Sequence, residues 1–213
     1  MLFIICFFSL NKRFIALLVS LLLGFVSVGC AAEQKPGDII AERTKIVLDT
    51  LVKQRAAFSA DSAKLDQFVQ SELNTLFDRE YSARLVLAMH SRGVDANKIT
   101  AFADALINTL LRKYGAALLE TDPSTDVKVL SETALRNGEM IRVATEVHRR
   151  GGAPIPVDYL FRQNNGEWKV FDVIVEGVSY VQTYRTQFDE LLRRQTLDQV
   201  TERLQQGQID VKN

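Results

Sequence analysis

The chain has 213 residues, 47% of them hydrophobic, with 26 basic and 26 acidic side chains and no formal net charge. No block of like charge stands out, and this balance excludes a nucleic-acid partner, because phosphate binding needs a basic stripe. Cys6 and Cys30 are the only cysteines, so the body beyond them can build no disulfide, zinc site or thiol nucleophile.

Residues 1–30 read as an export leader. Met1–Leu10 is almost wholly apolar, Lys12 and Arg13 follow, and a second apolar run, Phe14–Val28, leads into small residues. That run falls short of the roughly 18 residues needed to span a bilayer, so cleavage is expected in place of a retained anchor. The sequence V-S-V-G-C, ending at Cys30, resembles a lipobox and makes Cys30 a candidate lipidation site. Ordinary cleavage before Cys30 or after Ala32 reads equally well, and a soluble, exported product is the expectation. The folded domain is then placed at 31–205, with 206–213 as a polar tail.

Helical periodicity comes first in the body. Pro36-Gly37 opens a segment in which Ile40, Val47, Leu48, Leu51 and Phe58 share one face. Ser59 or Asp61 caps a second helix carrying Leu65, Phe68, Val69, Leu73, Leu76 and Phe77. A third runs from Asp78 to His90. The fourth, capped by Asp95, places Ile99, Phe102, Ala103, Leu106, Ile107, Leu110, Leu111 and Tyr114 on one wide apolar face. Asp122-Pro123 is expected to end it.

After Pro123 the period changes to two. Val127–Thr133, Met140–Arg149, Ile155–Gln163 and Trp168–Val175 read as four strands, joined at Asn137-Gly138, Gly151-Gly152 and Asn165-Gly166. Sequential hairpins make an antiparallel meander. Alternation along Trp168–Val175 puts Trp168, Val170 and Ile174 on one face and Phe171, Val173 and Val175 on the other, so apolar cover is expected on both. Gly177, with positive φ, then opens a helix bearing Val178, Val181, Tyr184, Phe188, Leu191 and Leu192. Glu176 and Ser179 are expected to shape that turn. A short helix with Leu197, Val200 and Leu204 follows. The fold class is α+β: a curved antiparallel four-stranded sheet packed by N-terminal helices and closed by C-terminal helices.

Chemistry is sparse. His90 and His148 lie on different elements and read as structural residues, not ligands, and no phosphate loop, nucleophile elbow or dinucleotide fingerprint appears. One enzymatic alternative stands: Asp158 or Asp172, on the strands of a pocketed sheet near Tyr159 and His148, acting as acid or base. A lipidated interaction protein anchored through Cys30 is a second alternative.

The segment Val157–Phe188 closely resembles the signature of the MlaC-like (toluene-tolerance) family. The matching parts are Trp168-Lys169-Val170, Asp172, Glu176-Gly177-Val178-Ser179, Tyr184-Arg185 and Phe188. Upstream, Phe77-Asp78, Ala83-Arg84 and Leu87 resemble the helix leading into the family's long amphipathic helix, and the likeness runs from about residue 37 to 205. Met89-His90 departs, standing where many members carry tryptophan. The resemblance implies a cone like that of nuclear transport factor 2 with extra helices, a cavity for acyl chains, and no catalysis. It further implies a monomeric periplasmic carrier of diacyl phospholipid, with no cofactor beyond this cargo. Its expected partners are an inner-membrane ABC transporter with a substrate-binding ring and an outer-membrane lipoprotein/porin complex. The residues expected to line the cavity are Leu106, Leu110 and Tyr114 from the long helix and Val143, Val147, Tyr159, Phe161, Val170 and Val173 from the sheet. Val178, Val181, Tyr184 and Phe188 complete the set from the closing helix. Arg185 is open to a lipid phosphate or to a surface ion pair.

Overall fold

The computed structural model describes residues 34–212; the 1–30 leader and Cys30 lie outside the described residues. Helix α1, Pro36–Lys53, begins with a proline whose missing N–H is no loss at that position. The Gly37 N–H donates to Glu132 Oε1 at 3.0 Å, and a Cβ on Gly37 would lie 2.5 Å from that oxygen. The single amphipathic segment expected through Phe58 is broken at Gln54, and α2 (Arg55–Ala60) follows. The break lets Phe58 stack on Phe68, with ring centroids 5.6 Å apart, beside buried Leu51 and Leu65.

Asp61 caps α3, Ser62–Leu76, by accepting from the Ala63 N–H. Asp78 likewise caps α4, Arg79–Leu87, which stops short of the expected His90 because Ala88 adopts positive φ and the chain enters a 3-10 turn. Helix α5, Ala96–Leu118, is capped by Asp95 as read from sequence. It ends before Asp122-Pro123, where 3-10 bonds from Leu119, Glu120 and Thr121 take up its last carbonyls.

Five strands, not four, form an antiparallel sheet in simple chain order: β1 Asp126–Leu135, β2 Met140–His148, β3 Ile155–Asn164, β4 Glu167–Val175 and β5 Val178–Ser179. Asn165 and Gly166, at φ 52° and 82°, make the two-residue turn that the sequence signals. Glu176 and Gly177, at φ 50° and 84°, make a second such turn, so Val178 pairs back onto Val175 before the helix begins. The strand-to-helix connection expected at Gly177 is therefore a miniature hairpin, and Val178 lies on it, outside the helix.

Pairing shifts by one residue between Leu160 and Phe161, leaving Phe171 as a bulge on β4. Phase reverses there. Trp168 and Val170 pair with Gln163 and Phe161, while Val173 and Val175 pair with Tyr159 and Val157, so all four share one face. Asp172 and Ile174 turn to the other with Leu160 and Asp158. Two apolar faces, expected from uninterrupted alternation, are in fact one apolar face interrupted by a bulge. Helix α1 covers it: Ile40 packs on Val143, Phe161 and Val170.

Helices α6 (Tyr180–Leu192) and α7 (Leu197–Gln205) close the fold against α4 and α5. Their core joins Leu87, Ile99, Phe102, Phe188, Val200 and Leu204, with the Phe102 and Phe188 rings edge-to-face at 5.0 Å. The segment after Gln205 is polar in composition, yet Ile209 and Val211 are buried in this same core. Lys113 holds the segment through Asp210 and the Val211 carbonyl.

Candidate ligand cavity

A cavity of about 560 Å³ lies where α3, α4, α5, β4 and α6 meet. Its long wall is one stripe of α5: Ala103, Leu106, Ile107, Leu110, Leu111, Tyr114, Gly115 and Leu118. Spacing of three and four keeps these residues on one helical face, and at 1.5 Å per residue the stripe runs about 22 Å. The hydrocarbon of one bilayer leaflet is about 15 Å deep, half of the full ~30 Å core, so the stripe can accompany an extended acyl chain. Leu73 comes from α3 and Phe77 from its C-terminal cap, Ala83 and Val86 come from α4, Phe171 and Val173 from β4, and Tyr180, Val181 and Tyr184 from α6.

The structure brings together Leu106, Leu110, Tyr114, Val173, Val181 and Tyr184 of the residues expected at the site. It places the others elsewhere. Val143, Phe161 and Val170 are fully buried beneath α1, and Phe188 is fully buried against Phe102. Val147 and Tyr159 are partly buried on the sheet away from the lining, and burial pushes the Tyr159 hydroxyl pKa up. Val178 is 58% exposed on the β5 hairpin. Among the lining residues that sequence reasoning missed are Leu73, Phe77, Ala83 and Val86. Their own helical periodicity carried the signal, but nothing in it distinguishes a wall from a core.

Polar groups at the wall are largely engaged. Ser82 Oγ lies 2.8 Å from both the Asp78 and Phe171 carbonyls, on which its hydroxyl is anchored. Asp172 accepts from Ser179 Oγ at 2.6 Å and from the Val181 N–H at 3.1 Å, while Ser179 Oγ itself accepts from the Gln182 N–H. Asp172 and Ser179 thus anchor the N-terminus of α6, where negative charge meets the positive end of the helix dipole. Burial first, then the Tyr180 and Tyr114 phenols, push the Tyr184 hydroxyl well above the usual tyrosine range, which keeps it neutral. Arg79 reaches Asn74 and Asp104.

This arrangement does not favour acid/base chemistry. Asp158 pairs with Arg142 on the sheet face opposite Tyr159, and Asp172 is a helix anchor. His90 bonds Asp189 at 2.9 Å and His148 bonds Glu146 at 3.1 Å, both away from the cavity lining. Arg185 Nε donates to the Leu85 carbonyl at 2.9 Å, tying α6 to α4. Among the described residues, no group of three or more His, Cys, Asp or Glu side chains can hold a metal ion. No helix among them is long and apolar enough to cross a membrane.

Comparison with known proteins gives a consistent result. The toluene tolerance protein ttg2D of Pseudomonas putida is 25% identical over 164 residues, covering 76% of this chain and 75% of that protein. The intermembrane phospholipid transport system binding protein MlaC of Haemophilus influenzae is 23% identical over 200 residues, covering 92% and 93%. A phospholipid-binding protein from Ralstonia solanacearum, solved in complex with a phospholipid, superposes with a TM-score of 0.73 at 18% identity, over 82% of this chain and 97% of that one. It shares the fold. The family model described as MlaC protein matches residues 41–206, and the chain belongs to that family.

Proposed function

We propose that this protein is a non-catalytic carrier that holds a two-chain phospholipid in the α5-lined cavity and ferries it through the periplasm. One observation carries the reading: a 22-Å apolar stripe, estimated from ~1.5 Å per residue, walls a cavity of about 560 Å³, within the usual range for ligand sites. Two acyl chains contain about 30 methylenes, and at roughly 0.8 kcal/mol each their exposure would cost more than about 20 kcal/mol. A cavity with an apolar lining offsets part of that cost, and release needs only a partner that offers a comparable apolar surface. Relatives named for phospholipid transport and phospholipid binding support the same reading. Membership of the MlaC family supports an outer-membrane lipoprotein/porin complex and an inner-membrane ABC transporter ring as the partners between which lipid passes. The phospholipid is cargo, and no further cofactor enters the proposal.

Leu110→Asp places a charge inside the cavity, whereas Val178→Asp places one on the exposed β5 hairpin. Lipid uptake from vesicles by Leu110→Asp should fall by tenfold or more, since a buried unpaired charge costs at least ~1.4 kcal/mol. Val178→Asp should load normally. Equal loading by both variants, each verified as folded by circular dichroism, would place the lipid outside this cavity.

A further inference from the structure

After α7 the chain forms a strap, residues 207–212, that reaches from α5 to α6, two of the helices walling the cavity. Gly207, at φ 70°, turns it back, with the Gln208 N–H on the Arg203 carbonyl at 2.9 Å. Towards α5, Thr109 and Arg112 donate to the Leu204 carbonyl at 3.1 and 2.7 Å. Lys113 donates to Asp210 and, at 2.6 Å, to the Val211 carbonyl. Towards α6 the catch is Gln187. Its Nε2 donates to the Lys212 carbonyl, and its Oε1 accepts from the Lys212 N–H at 2.9 Å.

Both anchor points neighbour the lining. Lys113 precedes Tyr114 of α5, Gln187 lies one turn beyond Tyr184 of α6, and both tyrosines line the cavity. Helices α5 and α6 also meet through the Phe102 and Phe188 rings, so the strap is a further bridge between them. Its parts are held differently. Ile209 and Val211 are buried in the core and root the strap. The bonds between Gln187 and Lys212 are exposed, where each is readily exchanged for a bond to water and contributes little net stability. Exposed ties of this kind open first in native-state fluctuations. The strap therefore lets go first at α6.

We infer that residues 207–212 are a latch on the cavity, with Gln187 as its catch. Engaged, the latch fixes the spacing of α5 and α6 and slows passage of the ligand. Released, it lets these two walls part without unfolding the core. This rests on the carrier reading above and adds a control of rate: the latch sets how fast ligand enters and leaves, while the apolar lining sets how much is held.

The test uses protein expressed from the full coding sequence, loaded from vesicles of phosphatidylethanolamine and phosphatidylglycerol that carry a self-quenching fluorescent phospholipid. Transfer to unlabelled vesicles of the same lipids is then timed. Gln187→Ala should transfer about tenfold faster than wild type, the scale of two exposed hydrogen bonds, with its equilibrium load kept within about threefold. Locking should do the converse. Gln187→Cys with Lys212→Cys, in a Cys6→Ser and Cys30→Ser background and joined by a short bismaleimide, should transfer at least about tenfold more slowly than the same protein left unjoined. Equal rates for joined and unjoined protein, or a wild-type rate in folded Gln187→Ala, would overturn the latch and leave the strap as a tie between helices. Loading would then be normal, whereas a wild-type protein that takes up no lipid would overturn the carrier reading and the latch with it.

Discussion

Ala88 sits at φ 49° and ψ −119°, a region that suits glycine and strains any residue with a Cβ. Only the junction between α4 and the following 3-10 turn demands it, so Ala88→Gly should relieve about 1 kcal/mol. That corresponds to a rise of about 2–4 °C in the melting temperature, measured calorimetrically, for a chain of this size. Asp189 gives a pH prediction. Its carboxyl is held below the ordinary aspartate value of 3.8 by hydrogen bonds from His90 first and Arg193 next. A depressed folded-state pKa means stability that is present above the unfolded value and lost as pH falls through the folded one. Asp189→Asn should therefore flatten the acid limb of the stability curve below about pH 4, followed by denaturant melts at stepped pH, and leave its shape above pH 5 unchanged. Asp172 shows how far a side chain can be read from sequence. A carboxylate on a strand near a pocket is legible as a candidate base. That its two oxygens are taken by Ser179 and Val181 depends on the β5 hairpin folding α6 back over β4, a tertiary fact that local pattern does not carry.

At the scale of elements, caps and turns were the most legible features. Asp61 and Asp95 cap their helices, and Asn165-Gly166 turns its hairpin, because each depends on local chemistry alone. The bulge at Phe171 was not legible. One inserted residue inverts inside and outside, so strict alternation assigned Ile174 to the face that holds Trp168 and Val170. The expected lining residues on the sheet divide by position along one face: Val143, Phe161 and Val170 lie under α1, while Val173 lies at the cavity. Apolar character marks burial, and the choice between core and wall is made by how helices dock. Helices α2 and α3 dock lightly. Among the described residues their cluster with α1 has Leu51, Phe58 and Leu65 as its buried members, and Arg55 Nε and Glu72 Oε2 are buried without hydrogen-bond partners, Glu72 standing 3.8 Å from Arg43 as an ion pair. Amide exchange in 55–76 should accordingly be at least tenfold faster than in α5, about 1.4 kcal/mol or more of local opening, with lipid loading narrowing the gap. Protection equal to that of α5 in the lipid-free protein would contradict this account of the docking.

For the whole molecule, three small cores meet around a space that none of them fills. The α4–α7 core and the sheet under α1 pack closely, the α2–α3 cluster more lightly, and the cavity lies between their edges. A chain that wanted only stability would collapse such a space, since empty apolar volume forfeits dispersion contacts on every wall. Keeping it open makes sense when a ligand restores those contacts. The most direct measurement is native mass spectrometry of protein expressed from the full coding sequence and purified without detergent, with solvent extraction of whatever remains bound. The account predicts one two-chain phospholipid per protein molecule, released on denaturation. A folded protein that emerges empty, and stays empty after incubation with phospholipid vesicles, would contradict it.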